Sequence, residues 1–444
     1  MKIPSCLAFV LITALAVSTA SLRAEFFIHD RDRVVFLGDS ITEQRLYTTY
    51  IEAYALSRHP AWKLSFRNAG WGGDTAWLRT RFSTDETRLF AAGEAVQGAM
   101  VKRAVEAGLQ RDVLPLKPTV VTVNFGMNDH YYQPFRPDIF RAYVSGQTEI
   151  ARVLMATGAR VAFLTPQPIE DKRADPDKDV RNQSLRKFSD GLGAVAAAAH
   201  ATFVDQFDPY MAVMLASTSA TIGRGDSVHP GPAGHAIMAW AILKGLGATP
   251  LVSSATLNAR TGKVDEAEAC SIDNVKSENS TVAFVRLDRA LPLPVDPRAE
   301  SALDLVPLLN DLSYYGLKIS GLPAGQYIVQ IDGEKAAEFS ARELAAGCNL
   351  AQTAGPISRQ AQSLLSLIFK KNEAYYQRWR KVELASVPEW AVSPADLEKR
   401  RQAELTRLDQ EISDLEAAIE VARQPKPRNF LIAMAPSTPS KAQP

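Results

Sequence analysis

The chain contains little cysteine and has almost no excess of charge of either sign. Three of its 444 residues are cysteine, and 50 basic side chains nearly balance 49 acidic ones, for a formal net charge of +1. The sequence holds no Cys-x-x-Cys pair and no cluster of histidine with cysteine, so we predict no metal site and no cofactor. The small net charge also argues against nucleic acid or an anionic membrane surface as a partner.

Long apolar runs are lacking except near the N-terminus. Lys2 precedes an apolar run over 7–12, and small residues continue to Ala20. This pattern, with cleavage after Ala20 or Ala24, predicts a secretory signal peptide over residues 1–24. A membrane anchor is the weaker interpretation, because the uninterrupted apolar run is short for crossing a bilayer. We therefore expect an exported protein, periplasmic or extracellular, without a transmembrane segment once the signal is removed.

Two cysteines, Cys270 and Cys348, lie beyond this leader. In an exported protein they are candidates for a disulfide, which would close a long loop and contribute roughly 4 kcal/mol if unstrained. Two free buried thiols are the alternative. The sequence leaves both interpretations open.

Residues 30–248 alternate between strand-like and helix-like segments. Five strands are predicted, at 34–37, 62–66 leading into Asn68-Ala69-Gly70, 119–124, 160–165 and 202–205. Helices are predicted between and after them, at 43–58, 91–111, 137–157, 179–199 and 232–246. This alternation predicts an α/β domain over 25–250, with a parallel five-stranded sheet covered by helices on both faces. Sites in such sheets form beyond the carboxyl ends of the strands.

The remainder of the chain shows a different pattern of predicted secondary structure. Short β-like runs separated by turns predict a small β-rich module over 251–352, and residues 353–424 are helix-like. Apolar residues there follow a heptad spacing: Leu405, Leu408, Ile412, Leu415 and Ile419. Fewer than three heptads favour a helix packed on its own protein, and contact with another chain through 396–423 is the alternative. Residues 425–444 are predicted to be a disordered tail.

The motif Gly38-Asp39-Ser40 follows the first predicted strand directly. A buried strand that ends in this way presents a serine on a tight turn at the edge of the sheet. A serine hydroxyl becomes a nucleophile only when a base removes its proton and an acid orients that base. Asp226 and His229, three residues apart on one loop, can supply the acid and the base, although Asp-x-x-His alone is also typical of a capped surface loop.

The ends of two other predicted strands carry candidate donors for a developing oxyanion. Gly72 and Gly73 lack side chains, so a backbone N–H there can approach a substrate. Asn128 follows the third strand and can donate from its side-chain amide. An ordinary turn at the glycines and an Asx-turn or helix cap at Asn128 are the structural alternatives.

Four blocks follow one another along the chain: Gly38-Asp39-Ser40, Asn68-Ala69-Gly70-Trp71-Gly72-Gly73-Asp74-Thr75, Gly126-Met127-Asn128-Asp129 and Asp226-Ser227-Val228-His229-Pro230. Together they resemble the blocks of the SGNH hydrolases, also called the GDSL esterase/lipase family. The resemblance covers residues of about 30–248 and implies a flavodoxin-like three-layer α/β/α sandwich. It implies that Ser40 is the nucleophile, that His229 is the base and that Asp226 is its partner. It also implies an oxyanion hole formed by the Ser40 N–H, the Gly73 N–H and the Asn128 amide. Gly73 is preferred to Gly72 because Gly-Asp-Thr at the end of that block aligns best.

Aromatic residues around the blocks favour a sugar ring over a long acyl chain as the substrate. Those we expect to contact substrate are Trp71, Trp77, His130 and Tyr131. Among exported proteins, the resemblance points to a secreted serine esterase that removes O-acetyl groups from a polysaccharide or oligosaccharide, so the partner is an acylated carbohydrate. Two alternatives stay open: a lipolytic or thioesterase-type enzyme acting on acyl lipids, and a surface binding protein with a vestigial hydrolase site.

Overall fold

The computed structural model describes residues 25–171, 175–217, 222–223, 225–278, 280–385 and 393–436. Within these residues the chain forms an α/β domain, two further β-sheets and a C-terminal helical hairpin. The predicted signal peptide, residues 1–24, lies outside the described residues. None of the helices in the described part of the chain is long and apolar enough to cross a bilayer.

The first sheet has five parallel strands in the order β2-β1-β3-β4-β5. They are β1 (Arg33–Gly38), β2 (Ser65–Gly70), β3 (Val120–Asn124), β4 (Arg160–Leu164) and β5 (Thr202–Val204). In β1, Phe36 is buried in the core on one face of the sheet and Leu37 in the core on the other. Because both faces are covered, the strand is apolar from Val34 to Leu37 and shows no alternation there. The predicted parallel sheet is confirmed.

Helices cover both faces of this sheet. They are α1 (Ser40–Glu43), α2 (Leu46–Arg58), α3 (Glu86–Ala91), α4 (Glu94–Asp112), α5 (Pro137–Met155), α6 (Val180–Ala199), α7 (Phe207–Ala216) and α8 (Pro232–Gly245). Helices α2, α7 and α8 bury apolar side chains in one core, and α4 and α5 do so in the other. The strand order and the three layers are those of a flavodoxin-like fold, as the resemblance implied.

The register of the sheet determines where the candidate site residues lie. Gly38, the last residue of β1, pairs with Gly70 at the end of β2 and with Asn124 at the end of β3. Three strands therefore end side by side. The loops that follow them leave from the same edge of the sheet, where the candidate site residues of the first three blocks lie.

Residues from 251 onwards build two further sheets around a core of their own. One has the order β13-β10-β6-β7 and the other the order β12-β11-β14-β9-β8. Their strands are β6 (Leu251–Asn258), β7 (Lys263–Glu268), β8 (Cys270–Glu278), β9 (Thr281–Asp288), β10 (Tyr314–Ser320), β11 (Gln326–Ile331), β12 (Glu334–Ser340), β13 (Cys348–Asn349) and β14 (Arg428–Met434). Leu317 of β10 and Phe284 of β9, from the two different sheets of this region, are buried in the same apolar cluster. The three short helices of this region are α9 (Ala302–Leu305), α10 (Leu308–Leu312) and α11 (Ala341–Ala346).

Strand β14 corrects the expectation of a disordered tail from residue 425. It pairs with β11 on one side and with β9 on the other, and Phe430 stacks on Phe284 with ring centroids 5.1 Å apart. The composition of the tail hid this strand, because its short apolar run, 430–434, is flanked by segments rich in proline, lysine and serine. The rest of the predicted tail, 437–444, lies outside the described residues.

Cys270 and Cys348 are free thiols in the structure, which corresponds to the second of the two interpretations. Cys270 lies at the start of β8, at an edge of one sheet, and its thiol donates to the Ser254 carbonyl oxygen at 3.4 Å. Cys348 lies in β13, at an edge of the other sheet, and is buried. Burial raises the pKa of the Cys348 thiol to about 11, which disfavours the reactive thiolate.

The C-terminal helices form a hairpin that packs on the α/β domain. It consists of α12 (Pro356–Tyr376), a π-helical segment (Gln377–Glu383) and α13 (Pro394–Ala422). Three residues of the heptad pattern, Leu408, Ile412 and Ile419, are buried within the protein itself. Packing on the protein's own core therefore explains the heptad pattern at these positions. This is the first of the two interpretations given above, a helix packed on its own protein.

A buried ion pair joins this hairpin to the α/β domain. Lys371 Nζ of α12 lies 2.6 Å from Glu52 Oε1 of α2, and the two side chains are 2% and 3% exposed. Asn372 Nδ2 donates to the other carboxylate oxygen at 3.0 Å. The carboxylate of Glu52 is thus satisfied by side chains from outside its own domain.

Lys371→Ala is expected to lower the free energy of unfolding by about 3–5 kcal/mol, because it leaves the Glu52 carboxylate buried without its counter-ion. Urea denaturation of the full chain measures this. The matched control is Lys370→Ala, an exposed neighbour on the same helix, for which about 0.5 kcal/mol or less is expected. Equal losses from the two variants would contradict the prediction.

Candidate active site

The serine of the first block stands at the start of a helix. Ser40 is the first residue of α1 and follows β1 with Asp39 as the helix cap, whose Oδ1 accepts the Ile41 N–H at 2.9 Å. Only glycine fits before this cap, because a Cβ on Gly38 would lie 2.1 Å from Thr42 Oγ1 and 2.7 Å from the Asn124 carbonyl oxygen. The tight turn predicted at the strand end is therefore enforced by packing.

The structure brings Ser40, His229 and Asp226 together. Ser40 Oγ lies 2.9 Å from His229 Nε2, and His229 Nδ1 lies 3.0 Å from Asp226 Oδ2. A carboxylate can only accept, so the hydrogen on the imidazole is assigned to Nδ1 and the Nε2 lone pair faces the serine. This arrangement can take the proton from the Ser40 hydroxyl.

The loop of the fourth block holds its own acid in place. Asp226 Oδ1 accepts the backbone N–H groups of Val228 at 2.9 Å and His229 at 2.7 Å. Partial burial raises the pKa of Asp226, but these hydrogen bonds and the imidazole lower it by more. The pKa of Asp226 therefore lies below its usual range. Asp226 stays ionised at neutral pH and can stabilise an imidazolium on His229.

Backbone geometry distinguishes the two adjacent glycines of the second block. The Gly72 N–H donates to Glu43 Oε2 at 3.0 Å, so it is already used. Gly73 has φ of +76°, a conformation that favours glycine, and among the described residues its N–H has no acceptor. The Ser40 N–H is likewise one of the first N–H groups of α1, which have no partner within their helix.

The third block presents a side-chain amide that is held from both ends. Asn128 Nδ2 donates to the Asp74 carbonyl oxygen at 3.0 Å, and Asn128 Oδ1 accepts the Tyr132 hydroxyl at 2.8 Å. The first bond fixes which end of the amide is which, because a carbonyl oxygen can only accept. One N–H of Nδ2 is left to donate to a bound oxyanion.

Buried carboxyl groups brace the loops beneath these donors. Asp129 accepts the N–H groups of Ala76 and Gly126, both at 2.8 Å. Burial raises the pKa of Asp129 to about 7 and that of Asp39 to about 8, with the nearby carboxylates adding to the effect. Asp74 is compensated by Arg81, whose Nε lies 2.7 Å from its Oδ2.

Two of the predicted substrate contacts are wrong. Trp77 is fully buried, and its Nε1 donates to Glu86 Oε1 at 3.0 Å. His130 is 2% exposed, and its Nδ1 lies 3.2 Å from the Gly126 carbonyl oxygen. Trp77 belongs to the apolar core that α4 and α5 share with the sheet, and the His130 ring packs edge-on against Phe188 of α6, with ring centroids 6.3 Å apart. Burial also lowers the pKa of His130 to about 4.

The other two predicted contacts, Trp71 and Tyr131, are partly exposed. The Trp71 ring lies under the Arg380 guanidinium, 3.7 Å from ring centroid to Cζ, and Tyr131 accepts a hydrogen bond from Arg79 Nη1 at 3.1 Å. Each ring is therefore engaged by an arginine of the protein. Their contact with a substrate stays a prediction.

Sequence reasoning did not assign roles to three residues that the structure places around the site. Tyr132, 40% exposed, orients the Asn128 amide, and only its position four residues after Asn128 hinted at this. Glu43 holds the Gly72 N–H, and Arg380 of the π-helical segment lies against Glu43. Residues 337 positions apart show no local pattern that could have linked them.

The described residues contain no group of three or more histidine, cysteine, aspartate and glutamate side chains placed to hold a metal ion.

Comparison with known families assigns the class of the protein, a carboxylic-ester hydrolase. Residues 36–237 match the family model described as the GDSL-like lipase/acylhydrolase family, so the chain contains a GDSL-like lipase/acylhydrolase domain over these residues. The four sequence blocks and the α/β domain all lie within or directly beside the matched residues. The identification made from the blocks is confirmed.

Solved structures extend the likeness beyond that domain. A gut microbial diltiazem-metabolizing enzyme is similar over 93% of this chain and 100% of its own, with 23% identity and a TM-score of 0.74. An acetylxylan esterase from Geobacillus stearothermophilus is similar over 50% of this chain and 96% of its own, with 21% identity and a TM-score of 0.40. An α/β hydrolase from the metagenome of Lake Arreo, Spain, covers 50% of this chain and 98% of its own, at 23% identity and a TM-score of 0.40. The first of these likenesses shows a shared fold across the α/β domain, the β-sheets and the helical hairpin. No match was found among curated protein sequences.

Proposed function

We propose that this chain is an exported esterase that removes O-acetyl groups from a polysaccharide or oligosaccharide by a Ser-His-Asp mechanism. The observation that carries the mechanism is the continuous relay from Ser40 Oγ to His229 Nε2 at 2.9 Å and from His229 Nδ1 to Asp226 at 3.0 Å. The predicted signal peptide supports the export.

The first half of the reaction forms an acyl-enzyme. His229 Nε2 takes the Ser40 proton while Oγ bonds to the ester carbonyl carbon. The negative charge moves to the carbonyl oxygen, where the N–H groups of Ser40 and Gly73 and the Asn128 amide donate to it. The carbon–alkoxy bond then breaks, and the imidazolium donates its proton to the sugar oxygen, which leaves as a hydroxyl group.

The second half repeats these steps with water. His229 takes a proton from a water molecule, whose oxygen bonds to the acyl carbon. The bond to Ser40 Oγ breaks, the proton returns to the serine, and the carboxylic acid leaves. Asp226 stabilises the imidazolium in both halves.

The surroundings of the serine favour a small acyl group on a hydrophilic carrier. The side chains of His229 and Asp226 are 29% and 54% exposed, so the relay lies at the protein surface, within reach of a substituent on a polymer. Phe125 and Met127, the apolar residues of the third block, are buried at 0% and 1% exposure. They cannot line a trough for a long acyl chain, which counts against the lipolytic alternative.

A panel of esters tests the substrate class. Protein recovered from the exported fraction is expected to release acetate from acetylated xylan, pectin or host glycans, and to prefer p-nitrophenyl acetate to p-nitrophenyl octanoate. Ser40→Ala protein, assayed in parallel, controls for contaminating esterases. Hydrolysis of long-chain esters without release of acetate from any glycan would contradict the proposal, and failure to find the protein in the exported fraction would contradict its export.

A further inference from the structure

An arginine from outside the family-matched domain reaches the rim of the active site. Arg380 belongs to the π-helical segment that follows α12, and its Nε lies 3.3 Å from Glu43 Oε1. Its guanidinium also covers the Trp71 ring at 3.7 Å from the centroid. The side chains of Arg380 and Glu43 are 18% and 20% exposed, so solvent only partly screens the pair.

Glu43 connects this arginine to the glycines of the second block. It is the last residue of α1, three positions after Ser40, and its second carboxylate oxygen, Oε2, accepts the Gly72 N–H at 3.0 Å. The contact is close enough that a Cβ on Gly72 would lie 2.8 Å from that oxygen. One carboxylate therefore joins three parts of the chain: the helix that carries the serine, the second-block loop and the C-terminal hairpin.

The peptide group that carries the Gly73 N–H lies between two anchored neighbours. On one side the Gly72 N–H is held by Glu43, and on the other the Gly73 carbonyl oxygen accepts Arg79 Nε at 2.7 Å. Glycine is free to rotate about both of its backbone bonds, and Gly73 at φ of +76° has no side chain to restrict it. The direction of its N–H therefore depends on these two anchors.

A second contact from the same hairpin secures the other end of Glu43. Arg45 Nη1 donates to the Glu43 carbonyl oxygen at 2.6 Å, while its Nη2 lies 2.8 Å from Glu373 Oε2 of α12. The Arg45 guanidinium also stacks on Tyr376, 4.0 Å from the ring centroid. The hairpin thus holds the carboxylate of Glu43 directly, through Arg380, and its backbone carbonyl indirectly, through Arg45.

We propose that Arg380 is a positioning residue for the oxyanion hole: it holds the Glu43 carboxylate on the Gly72 N–H and so fixes the direction of the Gly73 N–H. This inference rests on the proposed function, in which Gly73 donates to the oxyanion. It means that the C-terminal hairpin completes a site whose reacting groups all lie before residue 230.

Kinetics of Arg380→Ala in the full chain test this inference. We expect kcat for p-nitrophenyl acetate to fall by about 10-fold to 100-fold, with KM within about twofold of wild type, because displacing a donor acts mainly on the transition state. Arg380→Lys, which keeps the charge, is expected to give an intermediate kcat. The matched control is Arg378→Ala on the same segment, whose partners are Asp409 and Glu383 of the hairpin itself, and we expect it to keep wild-type kcat.

A double variant separates positioning from simple support of the fold. Glu43→Gln breaks the same ion pair without touching the hairpin, so it should lower kcat as Arg380→Ala does. If Arg380 acts through Glu43, the double variant should be no slower than the slower single variant, since the two changes remove one linkage. Multiplying losses would overturn the inference.

The remaining outcomes are equally distinct. If Ser40→Ala retains turnover, the proposed function itself fails. If Ser40→Ala is inactive while Arg380→Ala and Glu43→Gln match wild type, the function stands and the positioning role is refuted. Binding of methylboronic acid, which forms a tetrahedral adduct on the serine, should weaken in parallel with kcat, and unchanged binding in a slowed variant would also refute the role.

Discussion

Replacing Ser40 by alanine should abolish ester hydrolysis and leave the protein folded. The Ser40 hydroxyl is the group that bonds to the acyl carbon in the proposed mechanism, and its loss should lower kcat by about 10⁴-fold or more. The fold should tolerate the change because the cap of α1 is the Asp39 carboxylate, which the substitution leaves in place. Initial rates with p-nitrophenyl acetate and the thermal unfolding midpoint measure the two effects.

Ser83→Ala is the matched control for this result, because Ser83 is an exposed serine of a loop in the same domain. We expect it to keep full activity and the wild-type midpoint. Two outcomes would contradict the assignment of Ser40. Retained turnover in Ser40→Ala would show that another group attacks the ester, and a large fall in its unfolding midpoint would show that the residue is structural.

Asn128→Ala should give the second-largest loss. Removal of one oxyanion donor costs about 10²–10³ in kcat, with little change in KM, because the bond forms fully only as negative charge develops on the carbonyl oxygen. Asn128→Asp should be at least as slow, since a carboxylate of the same shape cannot donate. Steady-state kinetics with p-nitrophenyl acetate gives both parameters.

Tyr132→Phe provides a graded comparison for Asn128→Ala. It deletes the 2.8 Å hydrogen bond that orients the Asn128 amide but leaves the amide itself, so we expect a smaller fall in kcat. A rise in KM at unchanged kcat in Asn128→Ala would mean that the amide binds the substrate in its ground state. That result would remove Asn128 from the proposed oxyanion hole.

Local patterns in the sequence predicted most of the α/β domain. A short apolar strand that runs into Gly38-Asp39-Ser40 needs no distant information, and the five predicted helices begin and end within a few residues of α2, α4, α5, α6 and α8. The short helices α1, α3 and α7 were not predicted. The second strand shows the limit of such patterns. Its observed span, Ser65–Gly70, includes Asn68, whose side chain donates to the Thr42 carbonyl oxygen, a partner that alternation along the strand cannot reveal.

Burial of the aromatic residues could not be predicted in the same way. Trp77 and Tyr132 lie in similar positions just after a block, yet one is fully buried and the other is 40% exposed. Which of them reaches solvent is decided by how the loops pack on α5 and α6. For the same reason the link from Arg380 to Glu43 needed the three-dimensional structure, since it depends on where the C-terminal hairpin docks.

The position of β14 has a consequence for the order of events during synthesis. This strand lies in the interior of its sheet, between β11 and β9, yet it is the last strand of the described chain to leave the ribosome. Until it arrives, β9 and β11 each expose an unpaired edge, and such edges invite pairing with other chains. A nascent chain, or one cut short before residue 428, therefore has an incomplete sheet beside the core of the β-rich region, and the sheet is completed only after residues 428–434 have been made.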